Sequence, residues 1–235
     1  MTLEGRTAVV TGASRGIGEA IARALDARGA RTLLVARGAD RLRAIAGELR
    51  RAEPCAADLA QAAGAENVAD AAGRAFGTPD ILVNNAGVFA IGPIETTDDA
   101  TLDTLLALNA AAPFRLVRAF LPGMIARGSG DIVTIGSVAD RKVFPGSVAY
   151  AMSKYASRAL HEAVVAEGRG HGVRATLVSP GPVDTAIWDP YDPDHTRGLT
   201  PRAKMLRPEH VVDAVLWALE RPRSVTIDEL RLTPG

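Results

Sequence analysis

Short, mostly apolar runs alternate with longer amphipathic segments along this chain, and that alternation sets the expectation for its fold. The runs 7–10, 31–36, 53–57, 80–83, 131–135, 173–178 and 225–232 have the length and composition of strands. Between them lie segments with helical spacing: 19–28, a helix opened by Asp40 with Leu42, Ile45 and Leu49 in its stripe, 61–74, 98–127, the segment around Tyr150 with Ala156, Leu160 and Val164, and 208–220. Strand, helix, strand in repetition predicts an α/β fold whose strands run parallel. Within 98–127, Leu102, Leu105, Leu106, Phe114, Val117, Phe120 and Leu121 share a side, and Pro113 is expected to kink the helix. The stretch 185–207 breaks the rhythm: it has little periodicity and carries Pro190, Pro193, Gly198 and Pro201. It is read as a loop that covers a substrate.

The strand ends are where this pattern acquires chemistry. The first strand meets Thr11-Gly12-Ala13-Ser14-Arg15-Gly16-Ile17-Gly18, a glycine-rich turn that opens a helix. Such a turn lets backbone amides and the positive end of the helix dipole approach a pyrophosphate. Its spacing, Gly-x-x-x-Gly-x-Gly, differs from the Gly-x-Gly-x-x-Gly of the commonest dinucleotide fold. Past the second strand stand Ala36 and Arg37, where an acidic residue would favour NAD(H). Arg37, with Arg15 across the turn, instead suits a ribose 2′-phosphate, so NADP(H) is expected and NAD(H) is the alternative; both arginines also read as ordinary surface residues. Asp58-Leu59, after the third strand, either meets an adenine edge or caps the next helix. Asn84-Asn85-Ala86-Gly87, after the fourth, lies where open α/β sheets bind ligands, although Asn and Gly are also common turn residues. Ser137 follows the fifth strand, and Ser179-Pro180-Gly181-Pro182-Val183-Asp184-Thr185 ends the sixth with a rigid turn able to lay backbone against a carboxamide ring.

Tyr150 and Lys154 are four residues apart, one helical turn, so phenol and ammonium share a face. A phenol with a reference pKa of ~10 is a poor acid or base near neutrality unless a neighbour favours its phenolate, and Lys154 is placed to do so. Asn109 stands on the apolar face of its helix, either as a satisfied core amide or at a helix distortion that holds a water. Asp189, Asp192, Asp194 and His195 cluster in the 185–207 loop, but the interleaved prolines favour an extended solvated loop over a metal site, and none is expected.

Composition narrows the setting. With 235 residues and 47% hydrophobic content the chain can bury a large core as a single domain over 1–235. Basic and acidic residues both total 27, so no global field draws it to nucleic acid or an anionic membrane, and a small ligand is expected. Cys55 is the one cysteine, which forbids an internal disulfide and suits a reducing compartment. The first residues lack a cationic region followed by an apolar one, and no uninterrupted apolar run reaches ~18 residues; the protein is expected to be soluble and cytoplasmic.

Taken in order, the turn at 11–18, Asn-Asn-Ala-Gly at 84–87, Asn109, Ser137, Tyr-x-x-x-Lys at 150–154 and Pro-Gly at 180–181 resemble the classical short-chain dehydrogenase/reductase family over nearly the whole chain. The resemblance implies a Rossmann-type, doubly wound, parallel sheet of seven strands with helices on both faces. It implies hydride transfer between a nicotinamide and a carbonyl or secondary alcohol, with Asn109, Ser137, Tyr150 and Lys154 as the catalytic set. Tyr150 would exchange the proton, Ser137 would hydrogen-bond the reacting oxygen, Lys154 would also bind the nicotinamide ribose, and Asn109 would hold a relay water. The cofactor would lie on Gly12, Ser14, Arg15, Gly16, Ile17, Gly18, Arg37, Asp58, Leu59, Asn85, Ala86, Gly87, Tyr150, Lys154, Pro180, Gly181, Val183 and Thr185. Ala139, Phe144, Gly181, Trp188, Tyr191, Phe89 and Ile91 would give a mainly apolar pocket, with Asp140, Arg141 or Lys142 adding charge. The C-terminus looks like that of the 3-hydroxy acid and serine dehydrogenases, and 3-oxoacyl carrier-protein reductases share the same motifs. Family members pair as dimers or tetramers through the helices at 98–127 and 149–169. A dinucleotide-binding regulator that has lost the chemistry is the alternative from another class.

Overall fold

The structure, a computed structural model, describes residues 3–235. Seven strands form one sheet: β1 (Thr7–Thr11), β2 (Arg31–Ala36), β3 (Ala52–Ala56), β4 (Ile81–Asn84), β5 (Gly130–Ile135), β6 (Val173–Pro180) and β7 (Glu229–Leu232). Their order is β3-β2-β1-β4-β5-β6-β7, and every pair is parallel. The order reverses between β1 and β4, so the crevice beyond their carboxyl ends is the place where such sheets hold ligands. β3 lies at an edge, which is why it tolerates Pro54, whose missing N–H no partner strand needs. β7 is shorter than the 225–232 run expected for it, because only Glu229–Leu232 comes into register with Leu177–Pro180 of β6.

Helices α1 (Gly16–Ala27), α2 (Ala39–Glu48), α3 (Ala62–Ala75), α4 (Asp99–Leu106), α5 (Ala112–Arg127), α6 (Val148–Gly168) and α7 (Pro208–Leu219) cover both faces. One core joins α1, α2 and α7 to the sheet through Ile21, Leu25, Leu42, Ile45, Val211 and Val215. The other joins α3, α5 and α6 to the opposite face through Val68, Leu116, Phe120, Met124 and Val164. At about 25 cal/mol per Å² of apolar surface removed from water, these two layers dominate the stability of the sheet.

The 98–127 helix is interrupted earlier than Pro113. A π turn over Ala107–Ala111 separates α4 from α5, and Pro113 sits in the first turn of α5, where a missing N–H costs least. By composition this long helix reaches a mean hydropathy of 1.3 over 18 residues; its apolar side, half of that window, is buried within the protein.

Candidate active site

Every predicted site segment arrives at the carboxyl ends of the strands, and Thr11 stitches two of them together. Its hydroxyl accepts from the backbone N–H groups of Asn85 (2.9 Å) and Ala86 (3.0 Å) and donates to the Val83 carbonyl (3.1 Å), while the Asn85 amide donates to the Thr11 carbonyl (2.8 Å). These bonds hold the glycine turn beside the Asn-Asn-Ala-Gly loop. No side chain caps α1, so its first-turn amides face the crevice with the positive end of the helix dipole. Gly16 has φ +58°, and a Cβ there would press to 3.2 Å from the Thr185 methyl, so the turn and the loop after β6 leave room only for bare backbone. Arg15 and Arg37 are exposed, and neither has an ion-pair partner among the described residues. By contrast Arg41, on α2, is held by Glu19 (3.0 Å) and by the Ser14 carbonyl (3.3 Å). These residues fit a dinucleotide: free amides for a pyrophosphate, two unpaired guanidiniums for a further phosphate, and no carboxylate at the end of β2.

Other expected cofactor positions are placed differently. Asp58 is exposed and accepts from the Ala60 N–H (3.1 Å), while Gln61 stands before α3, so Asp58 closes a turn and does not cap the helix. Asp40 likewise falls inside the first turn of α2 and pairs with Arg43. The Gly181 N–H donates to the Leu232 carbonyl (2.7 Å), and the Val183 carbonyl accepts from the Trp188 indole (3.0 Å), so both are partly used by the fold.

Asn109 lies in the π turn and is 2% exposed. Its side chain bonds both backbone groups of Val88 (2.9 Å each) and donates to the Ser153 hydroxyl (2.9 Å), and its carbonyl accepts from Ser157. The amide is therefore spent on clipping the 85–88 loop to α6. The first alternative, a satisfied core amide, describes its side chain, and the distortion of the second is present in the backbone around it.

Tyr150 and Lys154 both face the end of β5. The Lys154 ammonium, on a residue 8% exposed, donates to the Ile135 carbonyl (3.0 Å) and lies 5.8 Å from the centroid of the Tyr150 ring. Burial pushes the Tyr150 phenol up to about 12; the Ser137 hydroxyl opposes that rise, and the Asp140 carboxylate adds to it. Burial also pulls the Lys154 ammonium down to about 8, against Asp140, which favours its charge. Desolvation thus moves the phenol away from the phenolate that Lys154 is expected from the sequence to favour.

The 185–207 stretch is less irregular than its sequence suggests. A 3-10 helix over Ala186–Tyr191 packs Trp188 and Tyr191 on Phe89, with ring centroids 4.8 and 5.3 Å away, and Phe89 in turn meets the Tyr150 ring edge-on at 4.8 Å. Arg202 fastens this segment through Asp184 and Asp189 (2.6 Å each), and its N–H reaches Asp194 (2.8 Å). His195 turns back on Asp192 (2.9 Å). The acidic cluster of the loop is thereby spent on an arginine and a local turn.

Beside this segment is a cavity of about 340 Å³ lined by Ala90, Ile91, Gly92, Thr96, Thr97, Thr101, Gly146, Ala149 and Tyr191. Of the expected pocket residues only Ile91 and Tyr191 line it. Ala139 is buried, Gly181 packs near Pro234, and Phe89 and Trp188 belong to the aromatic cluster. Asp140 is 1% exposed and Arg141 pairs with Glu229, so neither brings charge to the cavity. The three threonines of the cavity, the bonds made by Thr11 and the pairing of Arg41 are what sequence reading missed; Asp140, expected to add charge to the pocket, is instead buried, and its Ser-x-x-Asp spacing from Ser137, a capping-box pattern, was the available signal.

Comparison with known proteins places this geometry among related chains. Residues 6–196 match the family model described as short chain dehydrogenase. The chain is 35% identical, over 99% of its length, to the glycine betaine reductase ATRR of Emericella nidulans, of which it spans only 19%. It is similar to the crystal structure of a metagenomic short-chain oxidoreductase in complex with NADP (36% identity, TM-score 0.85, 100% of this chain and 99% of that one). It is also similar to L-sorbose reductase from Gluconobacter frateurii complexed with NADPH and L-sorbose (27% identity, TM-score 0.91, 100% and 97%).

Proposed function

The chain belongs to the short-chain dehydrogenase family, and on that premise we propose that it transfers a hydride between NADP(H) and the carbonyl or secondary alcohol carbon of a small neutral molecule, with Tyr150 exchanging the proton. The observation that carries this reading is the convergence of Ser137, Tyr150 and Lys154 at the strand ends that also present the uncapped start of α1. When bound, the nicotinamide supplies or receives the hydride. In reduction, Tyr150 gives its phenolic proton to the carbonyl oxygen as charge grows there, and Ser137 donates a hydrogen bond to the same oxygen. Lys154 answers the phenolate left behind. Asn109 acts through its clip on Val88 and Ser153, as a positioning residue. Arg37 and Arg15 hold the 2′-phosphate, a reading supported by relatives solved with NADP and NADPH.

A neutral, hydroxyl-bearing substrate is supported by a cavity lined by Thr101, by Thr96 and Thr97, whose hydroxyls donate to the Pro93 carbonyl (3.3 and 2.9 Å) and can still accept, and by no charged side chain. A 3-hydroxy acid loses support, since Arg141 is paired and Lys142 lies over the Phe144 ring, 5.2 Å from its centroid. Initial rates with NADPH and NADH against ketoses, ketones, aldehydes and β-keto acids test the reading. NADPH is expected to give at least about tenfold higher kcat/KM, neutral carbonyls are expected to outrun anionic ones, and Arg37→Asp is expected to remove the NADPH preference. Equal use of NADH overturns the cofactor assignment. NADPH binding seen by fluorescence without turnover of any carbonyl favours the regulator. The exposed Phe114 of α5 and Met152 and Tyr155 of α6 further support pairing of two copies, which light scattering measures.

A further inference from the structure

Asp140, in the turn that Ser137 opens after β5, is a buried group whose presence the proposed reaction does not explain. It is 1% exposed; one carboxylate oxygen accepts from the Ser179 hydroxyl (2.5 Å) and the Ser137 backbone N–H (3.3 Å), and the other is buried with no hydrogen-bond partner among the described residues. A carboxylate left half-answered in the interior is costly, and such groups are uncommon in folded proteins. Yet the fold makes room for it: a Cβ at Gly136 would lie 2.5 Å from that carboxylate and 2.9 Å from the Ser179 hydroxyl. The charged groups around it are few. Arg141 approaches to 3.9 Å but turns to Glu229 of β7, which Arg158 of α6 also reaches at 3.5 Å. From β6 comes only the Ser179 hydroxyl, and from α6 the Lys154 ammonium. The segment after β6 meets Tyr150 through uncharged Phe89, Trp188 and Tyr191, and its Asp184 and Asp189 are neutralised by Arg202.

We propose that Asp140 is a positioning residue for the reaction: a buried carboxylate packed on Gly136, between the Ile135 carbonyl that Lys154 bonds and the Ser137 backbone N–H that it holds itself, so that the site is poised to donate a proton to a carbonyl oxygen. The direction of its influence agrees with this, since Asp140 raises both groups. The inference rests on the assignment of Tyr150 as the proton donor.

The test is the pH dependence of carbonyl reduction in wild type, Asp140→Asn and Ser179→Ala. Asparagine keeps the shape and can accept the same hydrogen bonds, but it removes the charge; Tyr150 and Lys154 then lose their protons at lower pH. The alkaline limb of reduction should move down by about one pH unit. Ser179→Ala breaks the short hydrogen bond and leaves the charge, so its limb should stay near that of wild type. Asp140→Ala, which also removes the charge, must move the limb the same way, and it serves if Asp140→Asn does not fold. Limbs that superimpose on wild type in either charge-removing variant, with NADPH binding intact, overturn the proposal. Ultraviolet titration of the tyrosine phenols, with Tyr150→Phe subtracted, reads the same displacement without turnover. A protein that reduces no carbonyl would sink the proposed function but would leave that titration able to decide the role of Asp140.

Discussion

Strand β5 runs between two buried aspartates, and the fold answers them in opposite ways. At the amino end, Asp131 receives three guanidiniums: Arg6 at 2.5 Å, Arg174 at 2.6 Å and Arg223 at 2.9 Å. Arg174 also donates to the carbonyls of Leu219, Arg221, Pro222 and Val225, tying the end of α7 to the sheet. Beyond the carboxyl end, Asp140 has a serine, one backbone amide and an oxygen with no partner among the described residues. The first arrangement satisfies a buried charge for the sake of structure; the second leaves one partly unanswered at the end of the sheet where proton exchange is proposed. Of these two aspartates, the one at the supporting end is fully paired and the one beyond the carboxyl end is not.

The largest expected effect comes from breaking the saturated end. Asp131→Ala leaves Arg174 buried without its counter-charge and should cost about 3–5 kcal/mol in chemical denaturation, while the folded fraction keeps its kcat. Loss of kcat at unchanged stability would erase the distinction between the two ends. Asp140→Asn is the reciprocal case: removing a half-satisfied charge should change stability by less than ~1 kcal/mol, in either direction, while its pH profile moves. A destabilisation as large as that of Asp131→Ala would make Asp140 a structural residue. The smallest effect is expected in the segment after β6, where Arg202→Ala breaks two partly exposed ion pairs. It should raise KM by a few fold, with little change in melting temperature.

What the sequence made legible follows the same division. The glycine turn at 11–18 and the Tyr150 and Lys154 pair are local patterns, readable because one turn of backbone fixes their geometry. The strands were readable as apolar runs, since a parallel sheet covered on both faces needs them. Features that depend on partners far along the chain were not. Thr11 bonds the Asn85 backbone across 74 residues, and nothing near Thr11 in the sequence announces it. Asp140 has the spacing of an ordinary capping box, and only the packing of β6 against its turn buries it. Pro113 pointed to a break in the right helix; the ladder loosens just before it, over Ala107–Ala111, where the Asn109 carbonyl accepts from the Ser157 hydroxyl in place of the N–H that Pro113 lacks. The threonines of the cavity escaped because a pocket between two loops, joined by the Gly92 N–H on the Gly146 carbonyl (2.8 Å), has no period to read.

The central claim is that Tyr150 is the proton donor, and Tyr150→Phe tests it most directly, with NADPH affinity from fluorescence and turnover from absorbance measured on one preparation. The account predicts unchanged affinity and a kcat/KM lower by about 10²- to 10⁴-fold, since phenylalanine keeps the ring against Phe89 and removes the acid. A variant that binds NADPH and reduces the same carbonyl at close to the wild-type rate would contradict it.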